Sequence, residues 1–420
     1  MTLFHIDNTP LRLIVHICGK KFISINKKTF KNINIDYSNP LKRIKSKYGK
    51  EKIKVGFLVN EQAKWQYQSV YDEFEKSQEF EPIILVTQMT IEHYGILHYY
   101  KSILDCYKSF LDLGLRVKLA YDINNKRFIP ISEFDIDIIF YQQPWEIHDL
   151  YSPIYLSTHV LTCYTTYGMD LTWYVSSYTK NFHSFIWKIF VENDWIITYF
   201  KKIYKSNITN CYPVGYAKLD NYFHDNLHIY NNKKIIIYAP HHSFDKNSLQ
   251  CGTFYRTGKE MLNFANKHKN EIYWIFKPHP RFKTSVILNN IMSLQSINKY
   301  YDEWNKLGQI YEGGDYISIF KQSSAIITDS ISFLGEYLPS GNPIFQFINN
   351  YNIFNDFGKK IISTCYQAKN VSDMSIIFER VIFKNDDFLK NERTTICNTI
   401  FDPKIRTSEK IIKIINNSLK

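Results

Sequence analysis

The sequence predicts an α/β chain made of two doubly wound parallel sheets, one after the other. Three observations predict it. Short apolar runs alternate with helical patterns, the order that strand–helix–strand crossovers require. The alternation runs twice, from residue 53 to about 200 and again from 233 to about 347, with a Lys-, Asn- and Tyr-rich stretch at 201–234 between the two series. In the second series three strands end in polar sequence, and open α/β sheets present their ligand-binding loops at such ends.

Taken in order, Leu11–Ser24 reads as a β-hairpin, with LRLIVHIC and FISI flanking Gly19-Lys20-Lys21. A basic run follows from Leu41 to Lys54. IKVGFLVN (53–60) is an apolar strand and Trp65–Ser77 a helical stretch. FEPIILVT (80–87) is the next strand, followed by a helix through Cys106–Leu113. LRVKLAYD (115–122), FDIDIIFYQQ (134–143) and Leu156–Cys163 are further strands, and Phe182–Phe200 reads as an aromatic amphipathic helix. The second series begins with KKIIIYAP (233–240), a helix Thr257–Lys269 capped by Thr257, and the strand EIYWIFKP (271–278). A short strand at Gln309–Tyr311, a helix Tyr316–Gln322 and the strand SAIITD (324–329) come next. The helix Ser332–Leu338 and the strand NPIFQF (342–347) complete it, and 371–418 reads as helices. The chain therefore divides into a basic N-terminal hairpin and arm (1–52), a first α/β domain (53–215) and a second (216–420) with C-terminal helices.

Composition excludes several function classes. The chain has 420 residues, and a 45% hydrophobic share excludes a largely disordered protein. The formal net charge is +12, but residues 1–54 hold thirteen Lys/Arg against Asp7, Asp36 and Glu51, so ten of the excess charges sit there. A nucleic-acid binder spreads basic groups over its folded surface, and no nucleic-acid partner is expected. An anionic membrane surface engaged through residues 1–54 is the alternative to a merely solvated basic linker. Seven scattered cysteines without a C-x-x-C pair read as reduced thiols, which points to the cytoplasm. The apolar stretch Leu11–Ile17 does not read as a signal peptide, and no run of about 18 apolar residues suits a spanning helix. The expected location is cytoplasmic, peripheral on the inner face of the cytoplasmic membrane.

Chemistry concentrates in the second series. Its strands run into Pro240-His241-His242-Ser243, Lys277-Pro278-His279-Pro280-Arg281 and Asp329-Ser330-Ile331-Ser332, with Glu336 on the following helix. Two kinds of cation, imidazoles and hydroxyls at one sheet rim suit a phosphate or pyrophosphate. Read one by one, these groups are ordinary: Ser330 and Ser332 serve as helix caps and Lys277 and Arg281 are solvated. Their convergence on three strand ends is what favours a site. In the first series Asn60-Glu61, Gln142-Gln143 and Thr165-Thr166-Tyr167-Gly168 end strands, and Glu61 is a possible general base. The stretch from Gly252 to Lys259 has five residues between its glycines and Glu260 after the lysine, so it is no phosphate loop. Asp135-Ile136-Asp137 reads as the solvated start of a strand, and no metal site is expected.

These pieces, taken together, resemble the CDP-glycerol glycerophosphotransferase family, the teichoic-acid primase and polymerase group with its capsule-cluster relatives. The resemblance rests on VGFLVNEQAKWQYQSVYDEF (55–74), DIIFYQQPWEI (137–147), LTCYTTYG (161–168), FHSFIWKIFVE (182–192), PVGYAKLD (213–220), IIIYAPHHS (235–243), IFKPHPR (275–281) and ITDSISFLGEYLPSGNPI (327–344), in family order. It implies two Rossmann-like domains facing a cleft, a glycosyltransferase-B-like fold, with the nucleotide-activated donor held by the C-terminal one and no cofactor or metal. The implied activity attacks the β-phosphorus of CDP-glycerol or another CDP-alditol with a hydroxyl of a polysaccharide or lipid-linked acceptor and releases CMP. His279 looks like the family's His-Pro histidine. Asp329, Ser330 and Ser332 look like its Asp-Tyr-Ser-Ser loop, with Ser330 in place of Tyr and Ile331 in place of the first Ser. Lys277, Arg281 and Glu336 would complete the donor site, Glu336 on the ribose. Asn60, Gln143, Tyr167 and Gly168 would lie on the acceptor side. Tyr167-Gly168 stands where the family has His-Gly, which leaves the base open among Glu61, His241 and His242. A nucleotide-sugar glycosyltransferase of the same fold and a non-catalytic assembly subunit are the alternatives.

Overall fold

The computed structural model describes residues 4–8, 12–17, 20–26, 36–88, 96–145, 147–172, 180–204, 209–224, 233–244, 249–313, 316–349, 351, 353–401 and 405–420. They form two compact units. Met1–Tyr167, Val175–Ala217 and Arg406–Lys420 make the first; Gly168–Tyr174 and Lys218–Ile405 make the second.

The first unit opens with a three-stranded antiparallel sheet, β1 (Phe4–Asn8), β2 (Arg12–Ile17) and β3 (Lys20–Asn26). The β2–β3 pair is the expected hairpin, with a bulge between Val15 and His16. The main sheet holds β4 (Ile53–Val59), β5 (Phe80–Val86) and β6 (Val117–Leu119). A small antiparallel pair, β7 (Tyr121–Asp122) and β8 (Arg127–Phe128), lies apart from it. Then come β9 (Ile138–Tyr141), β10 (Leu161–Thr165), β11 (Lys188–Val191) and β12 (Cys211–Pro213). The order is β12-β11-β10-β9-β4-β5-β6, with every pair parallel. Parallel strands covered on both faces read as unbroken apolar runs, which is why Ile53–Val59 was legible. Its core stacks Phe57 on Phe140, centroids 5.2 Å apart, with Tyr67 and Phe74 against them.

The second unit holds β13 (Lys234–Ala239), β14 (Ile272–Phe276), β15 (Gly308–Ile310), β16 (Ala325–Thr328), β17 (Ile344–Phe347) and β18 (Tyr366–Ala368). The sheet runs β15-β14-β13-β16-β17-β18, all parallel. Trp274 and Trp304 are fully buried in its core.

Several expectations change. Phe182–Phe200 is not one helix: β11 interrupts it, between the short helix Lys180–His183 and the helix Asp194–Tyr204. Lys188–Val191 is buried throughout, and a four-residue buried strand has no period to set it apart from a helix face. Thr257 is no cap, since the helix is Phe254–Lys267 with Thr253 before it. Gly258 lies within that helix, where a Cβ would meet the Phe254 ring at 2.3 Å, so this glycine serves packing. The last helix, Thr407–Leu419, belongs to the first unit and not to a 216–420 domain. Ile411, Ile415 and Leu419 are buried with Val55, Tyr71 and Phe74, and the apolar stripe of a helix docks wherever a matching face exists.

The basic run is largely folded. Helix Ser38–Lys47 buries Pro40 and Ile44. Arg43 Nη1 lies 2.7 Å from Asp137 Oδ1, and Lys47 Nζ donates to both Asp137 oxygens at 3.1 and 3.2 Å. The Lys54 amide donates to Asp137 Oδ2 at 3.2 Å. Asp137 is therefore fully buried and not a solvated strand start; without these partners its charge would not tolerate burial. Side chains before residue 36 lie outside the described residues, so Lys20, Lys21, Lys27, Lys28 and Lys31 are not placed.

Candidate functional site

In the second unit three loops leave the carboxyl ends of neighbouring strands β14, β13 and β16. One carboxylate ties them together. Asp329 Oδ1 accepts the His241 amide at 2.6 Å, and Oδ2 accepts the Thr253 amide at 2.6 Å and the Thr253 hydroxyl at 2.8 Å. Burial pushes its pKa up to about 6 against the pull of these donors. The carboxylate is spent on the loops, so Asp329 shapes the site and does not itself reach a ligand.

The loops carry three imidazoles in contact. Ring centroids are 4.0 Å apart for His242–His279, 4.6 Å for His241–His242 and 5.1 Å for His241–His279. Backbone donors fix two tautomers. The Arg281 amide donates to His279 Nδ1 at 3.1 Å, and the Ser243 amide donates to His241 Nδ1 at 3.2 Å. The Cys251 amide donates to Ser243 Oγ at 3.2 Å, which leaves the Ser243 hydroxyl to point at His241 Nδ1, 2.7 Å away. In both rings the proton therefore sits on Nε2. Burial, and then the neighbouring imidazoles, push the pKa of His241 and His279 well below the usual range, so both are neutral at pH 7. Cys251 is no activated nucleophile, since burial raises its thiol to about 12.

One ring nitrogen from each of the three histidines lies within 4.8 Å of the others, a spacing open to metal ligation. The tautomers argue against that use. A ligating imidazole donates its second N–H outward, whereas here Nδ1 of two rings accepts. The pair is arranged to give N–H donors to an oxyanion.

Lys277 stands beside them, only 4% exposed. Its Nζ lies 5.1, 5.6 and 5.8 Å from the rings of Tyr316, Tyr311 and Phe333, and makes no hydrogen bond or ion pair to a described residue. Burial, then the charge of Lys218, lowers its pKa to about 8; Glu336 and Glu312 oppose this more weakly. Glu336 is 2% exposed and accepts the Tyr316 hydroxyl. Ser330 precedes the helix Ile331–Tyr337 but its side chain makes no cap hydrogen bond. Gly168 lies with this group in the second unit: a Cβ there would stand 3.6 Å from Ser332 Cβ and 4.0 Å from Glu336 Oε1. That groups Gly168 with Ser332 and Glu336 in the second unit, whereas Asn60 and Gln143 belong to the first. Its segment is held by Asn355, whose amide donates to Leu171 O at 2.9 Å and whose Nδ2 donates to Asp170 O at 2.7 Å. Gly358 makes the approach possible, because a Cβ there would lie 1.9 Å from Leu171 O.

Asn60, Glu61 and Gln143 gather in the first unit. Gln142 Oε1 accepts the Asn60 and Glu61 amides at 3.1 and 3.4 Å, and its Nε2 donates to Glu61 O at 2.8 Å. Lys64 Nζ lies 2.8 Å from Glu61 Oε2 and donates to Gln143 Oε1 at 3.0 Å. Tyr167 meets Trp145 edge to face at 5.3 Å. Sequence reasoning missed Lys64, Thr253 and the aromatic walls of Lys277. Only Lys64 carried a signal, three residues after Glu61.

Two parallel sheets of seven and six strands, the second with a polar rim, define an α/β protein of glycosyltransferase-B-like fold, and solved structures of that fold agree. The wall teichoic acid polymerase TagF matches with a TM-score of 0.56 at 11% identity, covering 92% of this chain and 91% of its own. MnaA of S. aureus, solved with UDP, matches at 0.55 and 13%, covering 88% and 96%. UDP-GlcNAc 2-epimerase from Neisseria meningitidis, bound to UDP-GlcNAc, matches at 0.53 and 12%, covering 87% and 100%. No curated protein sequence matches the chain significantly. Residues 141–361, more than half of the chain, match the family CDP-glycerol:poly(glycerophosphate) glycerophosphotransferase, and the chain belongs to that family. It is a transferase of substituted phosphate groups.

Proposed function

We propose that the chain moves the glycerol phosphate of CDP-glycerol onto a hydroxyl of a cell-envelope polymer, teichoic-acid-like or capsular. The new bond joins the acceptor oxygen to the β-phosphorus, the bond to the CMP oxygen breaks, and the acceptor's proton passes to a base. One observation carries the reading: a buried ammonium, Lys277, hydrogen-bonded and ion-paired to no described residue, beside two imidazole N–H donors at neighbouring strand ends. That set awaits a pyrophosphate, and such a transfer needs positioning and charge stabilisation above all. Lys277, with Arg281, holds the donor's charge. His279 and His241 donate to the phosphoryl oxygens, Ser330 and Ser332 line the loop, and Glu336 takes the ribose. Glu61 is held by Lys64 and His241 carries its proton on Nε2, so we assign the base to His242.

The test is transfer from CDP-glycerol labelled at the β-phosphorus, with CDP-ribitol, UDP-sugars and CMP-sugars alongside, to a lipid-linked or oligosaccharide acceptor. CMP release with labelled phosphorus on the acceptor is expected. Transfer of sugar without donor phosphorus would make the chain a glycosyltransferase, and binding of no donor would make it an assembly subunit.

No described helix is long and apolar enough to cross a membrane. Peripheral docking on anionic lipid, if it uses the basic run, falls to Lys42, Lys45, Lys50 and Lys52, which are exposed. Reversing these four to Glu should abolish low-salt binding to anionic liposomes if the basic run carries it; unchanged binding would remove the basic run from the membrane reading. Deleting residues 1–50 is the wrong test, because it strips the helix that neutralises Asp137.

A further inference from the structure

We infer that Lys218 is a second ammonium of the donor site, and that with Lys277 it makes the site select a diphosphate over a ligand with a single phosphate. The inference deepens the proposed transfer and rests on it for the identity of the donor. Lys218 lies in PVGYAKLD (213–220), a stretch that carries the family resemblance without contributing a residue to the rim described above. One ring brings the two cations together. Lys218 Nζ stands over the Tyr316 ring, 4.0 Å from its centroid, and Lys277 Nζ stands over the same ring at 5.1 Å. The two ammoniums are therefore no further apart than those two lengths laid end to end.

Both cations are held in place. Tyr316 is buried, donates its hydroxyl to Glu336, and packs on Phe333 and Phe320 with centroids 4.8 and 5.0 Å away. Lys218 sits in the turn Ala217–Leu219, which runs into the short helix Asp220–His224, and Leu219 and Asp220 beside it are buried. Lys321 Nζ donates to Asn221 O at 2.9 Å, which ties that segment to the helix Ile317–Gln322, the helix that Tyr316 precedes. Lys218, Tyr316 and Lys277 all belong to the second unit. Like charges held this close oppose each other. After burial, the charge of Lys218 is the largest influence that weakens the hold of Lys277 on its proton, and Glu336 and Glu312 oppose it more weakly. A ring face attracts a cation and offsets part of that repulsion; an anion that bridges both ammoniums removes it. Lys277 is buried and Lys218 partly exposed, so one meets a phosphate inside and the other meets its neighbour nearer the rim. A diester of pyrophosphate carries one negative charge on each phosphorus and faces each ammonium with one of them. A CMP-sugar has one phosphorus and leaves one ammonium unanswered. The pair therefore favours CDP-alditols over CMP-sugars before the rest of the donor is read.

The test is titration of the full chain with inorganic pyrophosphate and with orthophosphate, followed by phosphorus NMR, and with CDP-glycerol, followed by calorimetry, on wild type, Lys218→Met and Lys218→Arg. Wild type should prefer pyrophosphate to orthophosphate by about tenfold or more, as two charge-assisted contacts exceed one. Lys218→Met keeps the stem over the ring and should cut that preference to about threefold, weakening CDP-glycerol by about tenfold, while Lys218→Arg keeps both near wild type. A change that merely disturbed the fold would weaken both anions alike, so the preference itself reads the binding role. No preference in wild type, a preference that survives Lys218→Met, or one lost equally in Lys218→Arg overturns the inference and leaves transfer from CDP-glycerol untouched. A preference lost in Lys218→Met and kept in Lys218→Arg, in a chain that moves no phosphorus from CDP-glycerol, upholds the paired cations and overturns the transfer reading.

Discussion

The two sheets end in polar loops that treat their charged groups differently. In the first unit the charged groups answer one another: Lys64 satisfies both Glu61 and Gln143, and Gln142 takes up the backbone of the Asn60–Glu61 loop. In the second unit Lys277 is buried with aromatic rings for walls and no hydrogen bond or ion pair to a described residue, with Glu336 and Glu312 only near enough to weaken the burial penalty, while two imidazoles turn their N–H groups outward from backbone donors. A buried charge that is partnered holds a loop; one left unpartnered is kept for a ligand. That difference, more than the number of polar residues, separates the rim proposed to bind an anion from the other.

The sharpest way to break the comparison is Lys277→Met. Loss of the cation should lower kcat/KM for CDP-glycerol by about 10³-fold, the scale of removing a group that stabilises transferring charge. The same variant should be more stable. Folded Lys277 releases its proton near pH 8, while the unfolded chain holds it to 10.5. Below pH 8 the folded state therefore carries a penalty of about 3 kcal/mol, which fades as pH rises from 8 to 10.5. Denaturant melts should show Lys277→Met ahead of wild type at pH 7 and level with it above pH 10.5. A variant that is less stable at pH 7 would mean the ammonium is partnered after all.

Asp329→Ala comes next. It strands two amides and a hydroxyl in a buried place, and a loss of about 3 kcal/mol in denaturant melts is expected. Asp329→Asn should lose about half as much, because it can still accept. Lys64→Met should cost about 2 kcal/mol, from the abandoned Glu61 carboxylate, while leaving the affinity for CDP-glycerol by calorimetry within twofold of wild type. If donor binding collapsed instead, the first unit's network would be more than a brace.

The smallest effect is a pH slope. The unfolded chain protonates His241 and His279 near pH 6.5, whereas the folded state keeps them neutral well below it. Stability should then fall as pH drops below 6.5, by about 1.4 kcal/mol per pH unit for each ring. His241→Gln and His279→Gln should each remove one ring's share, and an unchanged slope in both would show that the rings charge freely when folded.

Much of this was legible in the sequence for physical reasons. The inner strands of the second sheet are buried on both faces, so they read as apolar runs, and the three polar strand ends fell together because a parallel sheet aligns them. Lys188–Val191 was hidden, since its neighbours Trp187 and Trp195 continued an aromatic pattern that a helix would also show. Pairings distant in sequence were hidden as well. Nothing near Asp329 announces Thr253, and nothing near Asp137 announces Arg43. Gly168 was placed by its neighbours in sequence on one unit, and by the carbonyl of Leu171 on the other.

The helix Thr407–Leu419 has a consequence for biosynthesis. The first unit's core closes over Ile411, Ile415 and Leu419, and these residues leave the ribosome after the whole second unit has been made. The amino-terminal half therefore waits, with an apolar seam open, while nearly two hundred residues are added. Domains that emerge early usually finish early; this one finishes last. A chain stopped shortly before residue 406 would expose that seam for good and should depend on chaperones or precipitate, even though every group at the second unit's polar rim is present.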